Sequence, residues 1–173
     1  MQVIECDLPS GSVLSGDTIG NAYFHDCYRA PMTRPELSIV EVFFAVFGHT
    51  PLWMKSLLIV RNAVAKMFGL EAPAVGEIMR PQVRSEYRVG EKIGPWPVFF
   101  IADHEIVAGR NNKHLDFRLS VLKLKEGDAT SVVVSTICTV HNVFGRIYLF
   151  FIVPFHRHGV QSLMRNAVEA KRL

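Results

Sequence analysis

No apolar run in this chain is long enough to cross a bilayer. The longest, Ile147 to Phe155 with only the weakly polar Tyr148 inside it, has nine positions, where a helical span takes about 20. Such a run belongs in a core, along a cavity or on an interface. Arg146 guards one end and His156, Arg157 and His158 the other, and Pro154 is expected to split the run from the residues beyond it. Cysteine is scarce: Cys6, Cys27 and Cys138 are odd in number, widely spaced and without a paired-thiol motif. That disfavours a disulfide framework or a zinc site and fits a reducing cytoplasm. Glu5 and Asp7 stand where a secretory leader would be basic and apolar, so none is expected. Charge of one sign is also missing. A net +3 over 173 residues is too little to argue for nucleic acid. There is no low-complexity tract, repeat or linker, and no glycine-rich nucleotide fingerprint, phosphate loop, nucleophile elbow or metalloprotease motif.

Against those gaps stand 49% apolar and 20% charged residues, the composition of an ordered globular chain. Its length predicts one domain over residues 1–173, with an irregular Gly- and Ser-rich lead-in over 1–20. The 12 Phe residues point to an aromatic core or a lined cavity, and the plain core is the simpler reading. The excess positive charge lies after residue 156, where Arg157, Arg165, Lys171 and Arg172 face Glu169 alone. A basic tail behind an apolar run is able to touch anionic lipid. Four charges round a helix are more often a solvated face.

Periodicity places the elements. Ala22 to Ala30 alternates as a first strand, with Tyr23, His25 and Cys27 on one side and Phe24, Asp26 and Tyr28 on the other. Thr33-Arg34-Pro35-Glu36 has the form of a helix start with a capping box, and Leu37, Val40, Phe43, Phe44 and Phe47 follow at helical spacing up to Gly48. Thr50-Pro51 opens a second helix that Gly69 ends. The stretch from Gly76 to Trp96 is broken, with a short strand expected over Val83 to Val89. Strands then come over Pro97 to Asp103, Glu105 to Arg110, His114 to Lys125 and Ala129 to His141, with turns at Asn111-Asn112 and at Glu126-Gly127-Asp128. Asn142 reads as the N-cap of a terminal helix whose Val160, Leu163, Met164, Ala167 and Val168 face a core. The order predicts an α+β fold of the helix-grip kind: a curved antiparallel sheet around a long C-terminal helix, with two short helices after the first strand.

Several segments resemble an uncharacterised bacterial family, the domain of unknown function numbered 2867. They are YRAP at Tyr28 to Pro31, LLIVRNAVAKMFGL at Leu57 to Leu70, HLDFRLSV at His114 to Val121 and HNVFGRIYLFFIVPFHR at His141 to Arg157. The family is similar to the START-like (SRPBCC) helix-grip superfamily, whose members enclose hydrophobic ligands between sheet and terminal helix. The resemblance therefore implies a cavity there. It supplies no reaction.

Few residues are placed to do chemistry. Arg61 lies on the apolar stripe of the second helix, where a buried guanidinium needs a carboxylate; Asp26, Asp103 and Asp116 are candidates. A structural ion pair is the plainer reading, and a ligand's acidic group met by Arg61 or Asn62 the sharper one. His114, Asp116 and Arg118 share one face of a strand, about 7 Å between successive members. That row binds a ligand if it faces inward and merely supports the sheet if it faces solvent. His141 with Asp116 is the best acid/base pair in the sequence, although catalytic residues stay unassigned and packing beside the Asn142 cap explains His141 more simply. Arg146 and His156 border the apolar run and join the ligand-binding candidates. His156 and His158 offer two imidazoles without a third ligand at a diagnostic spacing, so no metal or other cofactor is expected.

The sequence thus predicts a cytoplasmic module that binds a small hydrophobic or amphipathic molecule through Arg61, Asn62, Asp116, Arg118, His141, Arg146 and His156. A cyclase-, dehydratase- or hydrolase-type enzyme in the same cavity is the alternative, and peripheral membrane or partner binding through Ile147 to Phe155 a third. No nucleic-acid partner is expected. A homodimer and weak contact with anionic lipid are left open.

Overall fold

In the computed structural model, which describes residues 2–49, 51, 54–56, 59, 62 and 83–173, the alternating and β-branched segments join one antiparallel sheet. Its strands are β1 (Ile4–Glu5), β2 (Phe24–Pro31), β3 (Lys92–Ile93), β4 (Trp96–Ile101), β5 (Glu105–Asn111), β6 (Leu115–Glu126) and β7 (Ala129–Val140), in the order β1-β2-β7-β6-β5-β4-β3. Four strands read from the sequence, β4 to β7, fall within two residues of their expected ends. Between β6 and β7, Gly127 takes a φ of +60°, and Glu126 pairs with Ala129 across it. A two-residue hairpin loop needs a positive φ at its first position, which glycine supplies without strain.

The sheet has two unlike faces. Tyr28 and Ala30 of β2, Ile106 and Ala108 of β5, Leu119 and Val121 of β6 and Val132 and Val134 of β7 share the main core with helix α2 (Ile39–Phe47) and the terminal helix, Val143–Glu169. Residues one position along each strand look the other way. Val107 and Ile137 there meet Leu8, Leu14 and Ile19 of the lead-in, while Cys27, Leu122 and Val133 meet Cys6. Burial on both faces explains why β7 reads as a continuous β-branched run instead of an alternation.

The lead-in is more ordered than expected. It contains β1 and one helical turn, α1 (Asp17–Gly20), and Glu105 ties it down. That carboxylate, fully buried on β5, accepts from the Ser12 and Ser120 hydroxyls at 2.7 and 2.6 Å and from the Val13 amide at 3.0 Å. Three donors make up for much of the hydration it loses.

The first long helix begins later than Thr33. Its N-cap is Ser38, whose hydroxyl accepts from the Glu41 amide while Glu41 reaches back to the Ser38 amide: the capping box lies five residues downstream of the one expected. Thr33 instead donates its hydroxyl to the carbonyl of Leu173, and Leu37 closes a turn onto Arg34. Both sites match the Ser/Thr-x-x-Glu pattern, but Ser38 is followed by a proline-free stretch, apolar apart from Glu41, whose amides can continue the helix. The stop at Gly48 is as expected. Met54 to Ser56, Ile59 and Asn62 are helical, within the span expected for a second helix; the rest of that span, Gly69 included, lies outside the described residues. Val83 to Val89 is not a strand; the short β3 comes after it.

The terminal helix runs through Pro154 without a break, contrary to the split that proline predicts. Proline withholds the amide that would serve the Phe150 carbonyl. Pro154 and Phe150 both lie on the exposed side of the helix, where water can serve that carbonyl instead. Asn142 caps the helix, its side chain accepting from the Gly145 amide. Gly145 itself presses on the β5–β6 loop: a Cβ there would stand 2.3 Å from the His114 carbonyl oxygen. The described residues form an α+β fold in which a curved antiparallel sheet grips a long C-terminal helix, the architecture expected from the element order.

Candidate functional site

The sheet's two faces sort the candidate residues. Asp116 and Arg118 alternate with Phe117 and Leu119, which belong to the helix-side core, so both polar side chains lie on the outer face. The expected Asp116–His141 pair does form, with His141 Nε2 3.1 Å from Asp116 Oδ2, but it is partly exposed and away from the helix. Asp116 also accepts from the Asn112 amide. Arg118 stacks on the Phe99 ring at 3.7 Å and donates to the Phe117 carbonyl. Burial pulls the Arg118 pKa below its ordinary value, with Asp116 opposing the shift. His114 leaves the row altogether. Its Nδ1 lies 3.1 Å from Asn142 Oδ1, and its ring packs edge-on against Phe144, steadying the start of the terminal helix.

The helix-side face holds a different polar group. Asp26 of β2 sits between Phe24 and Tyr28 on that face, with its side chain only 1% exposed. His156 of the terminal helix points down onto it, Nε2 lying 3.3 Å from both carboxylate oxygens, with hydrogen-bond geometry to Oδ1. The Phe24 ring meets the imidazole edge-on at 5.9 Å and so fixes its plane. Thr136 of β7 pairs with Asp26 across the strands, placing its hydroxyl on the same face. One turn further along the helix, Gln161 approaches Tyr28, whose hydroxyl is pushed up in pKa by burial, the Gln161 amide opposing that shift.

These atoms are under-served. Among the described residues Asp26 Oδ2, the Tyr28 hydroxyl and Thr136 Oγ1 are buried without a hydrogen-bond partner. A buried polar atom left unpaired costs about 1–3 kcal/mol, and three together on one face are uncommon in a core that is otherwise apolar. The arrangement combines a carboxylate acceptor, two hydroxyls able to donate or accept and an imidazole bridging to partial exposure (24%). It can hold a hydroxyl, amide or amine of a ligand, and the Asp26–His156 pair can carry a proton.

Of the residues expected to bind, only His156 belongs to this group. Asn62 is buried and helical; Arg61 lies outside the described residues, and with it the expected pairing to Asp26, Asp103 or Asp116. Arg146 is exposed, 5.7 Å from the Tyr23 ring. Asp26 was legible in the sequence as a lone carboxylate on the Phe24–Tyr28 face, whereas Thr136 and Gln161 carry no signal of their own. Among the described residues no group of three or more His, Cys, Asp or Glu is placed to hold a metal, and no helix is long and apolar enough to cross a membrane.

Fold and site together define a helix-grip α+β domain with a buried polar group under its terminal helix. The chain belongs to the family described as "Protein of unknown function (DUF2867)", whose model matches residues 18–163. No curated protein matches it. Among solved structures it is similar to CalU16 from Micromonospora echinospora, at 12% identity and a TM-score of 0.33, over 86% of this chain and 87% of that one. A likeness that distant carries no argument about function.

Proposed function

We propose that the domain is a START-like (SRPBCC) binding module that holds a small hydrophobic or amphipathic molecule between the helix-side face of the sheet and the terminal helix. The observation that carries this reading is the trio of buried oxygens on Asp26, Tyr28 and Thr136 without a hydrogen-bond partner among the described residues, beside which His156 stands 3.3 Å from the Asp26 carboxylate. A ligand bearing one hydroxyl, amide or amine would satisfy them while its apolar body lies among the surrounding aromatic and aliphatic side chains, the usual division of labour in such sites. Asn62 and Arg61 are proposed to help orient it. Cys6, Cys27 and Cys138 are thiols and not disulfides, which favours a cytoplasmic setting. Native mass spectrometry of freshly purified protein is the test. A small-molecule adduct that survives desalting is expected in the wild type and lost in Asp26→Leu; a wild type persistently free of adducts would sink the proposal.

The Asp26–His156 contact favours a second reading, an enzyme of the cyclase, dehydratase or hydrolase kind with this pair as general acid/base. In that case His156→Gln traps the unconverted substrate, and the molecule recovered from it differs in mass from that in the wild type. Equal masses leave the binding module alone.

A further inference from the structure

The first half of the terminal helix turns a hydrophobic stripe outward. Val143, Phe144, Ile147, Phe150, Phe151 and Phe155 are each more than half exposed, Phe150 reaching 76%. At about 100° per residue they fall within an arc of roughly 140°, opposite the side on which Gly145 and Leu149 are buried. A stripe of this size on one face is not the scatter of single apolar residues found on ordinary surfaces. Tyr23, 55% exposed, lies against Arg146 and extends the patch onto the sheet edge.

The charges that the helix itself sets around it have one sign. Arg146 and Arg157 are exposed and border the stripe along one edge, while His158 and Arg165 continue its line toward the C-terminus. No carboxylate occurs between Val143 and Val168. Aromatic rings that sink to the level of lipid headgroups, with arginines beside them to meet phosphate, are the components of an interfacial helix. Residues 143–155 cover about 20 Å at 1.5 Å per residue, too short to span a bilayer and suited to lying flat on one.

We infer that this face docks the domain on an anionic lipid bilayer, with the Phe150–Phe151 pair inserted among the headgroups and Arg146 and Arg157 on lipid phosphates. The choice of lipid over a protein partner rests on the one-signed charge and on the aromatic composition of the stripe. Anionic headgroups match both, each basic residue near such a surface adding to attraction that salt screens.

Co-sedimentation of the full chain with vesicles of phosphatidylcholine alone, and of phosphatidylcholine with phosphatidylglycerol, tests it. The wild type is expected to pellet with the mixed vesicles at low salt and to be released as salt rises. Phe150→Ser with Phe151→Ser should weaken binding more than tenfold while circular dichroism and Tm show the fold intact. Arg146→Gln with Arg157→Gln should abolish the preference for anionic vesicles and leave the apolar stripe in place. A wild type that stays in the supernatant with mixed vesicles overturns the inference, as does serine-variant binding equal to wild type. A wild type that forms a dimer broken by the serine changes, and that ignores vesicles, gives the face to a second copy of the chain.

Discussion

Asp26 is buried on a strand whose same-face neighbours are aromatic, and its Oδ2, 3.3 Å from His156, accepts no hydrogen bond among the described residues. Withdrawing that carboxylate from water is costly, and the His156 contact at 3.3 Å offsets only part of the cost. Asp26→Asn should therefore stabilise the ligand-free domain by roughly 1–2 kcal/mol, a few degrees in Tm. The same variant should retain less ligand. A fall in Tm would show that the charge is a structural partner instead. A second buried group, the Cys27 thiol, tests the outer face. Burial raises its pKa from the ordinary 9.0 to about 12, the Ser135 hydroxyl opposing and the Cys6 thiol, 3.2 Å away, adding to the rise. A folded pKa above the unfolded one gives a contribution to stability that is complete below pH 9.0 and disappears as pH climbs toward about 12. Chemical-denaturation midpoints measured from pH 8 upward should fall across that window in the wild type and fall less in Cys27→Ala. Alkylation at pH 8 should label Cys6 before Cys27, since only Cys6 is partly exposed.

The terminal helix depends on close backbone contact at its first turn. Gly145→Ala would set a methyl 2.3 Å from the His114 carbonyl oxygen, and backbone cannot yield as a flexible side chain can. The expected cost is about 1–3 kcal/mol, seen as a lower Tm with the sheet's circular dichroism unchanged; an unaltered Tm would mean that the helix start is free to shift. Such close approaches are invisible in a sequence, where Gly145 is one more residue in an apolar helix. Strands were the legible part. Leu115, Phe117 and Leu119 alternate with polar partners because one face of β6 is apolar core, and the register is set by a turn at Gly127. Helix boundaries were less legible because Thr33 and Ser38 both satisfy the capping pattern, and the winner is fixed by the residues downstream. Pro154 misled for a related reason. Its penalty depends on whether water can reach the orphaned Phe150 carbonyl, a matter of which side of the helix faces out.

Which face of the sheet a residue occupies governs how the molecule as a whole works. The pair read from the sequence, His141 with Asp116, and the pair found beneath the helix, His156 with Asp26, have the same chemistry and similar distances, 3.1 and 3.3 Å. They differ in surroundings. Asp116 and His141 are hydrated, 29% and 40% exposed, whereas Asp26 is at 1%. Electrostatic and hydrogen-bonding effects strengthen as water is withdrawn, so a polar group meeting the inner pair would interact more strongly than one meeting the outer pair. The outer face is also occupied: the lead-in covers it through Leu8, Leu14 and Ile19, and Glu105 pins that cover to β5 and β6. Alternation showed that a strand carried two unlike rows, but only the packing of the lead-in and the terminal helix decides which row is inside. Substitutions on the two faces should separate accordingly. His141→Gln and Asp116→Asn are expected to leave the native-mass adduct unchanged and to move Tm by less than about 1 kcal/mol equivalent, as for an exposed pair. His156→Gln should change the adduct's occupancy or identity. If the outer substitutions remove the adduct and the inner one does not, the binding face is the convex one, and the lead-in, not the terminal helix, is the element a ligand must pass.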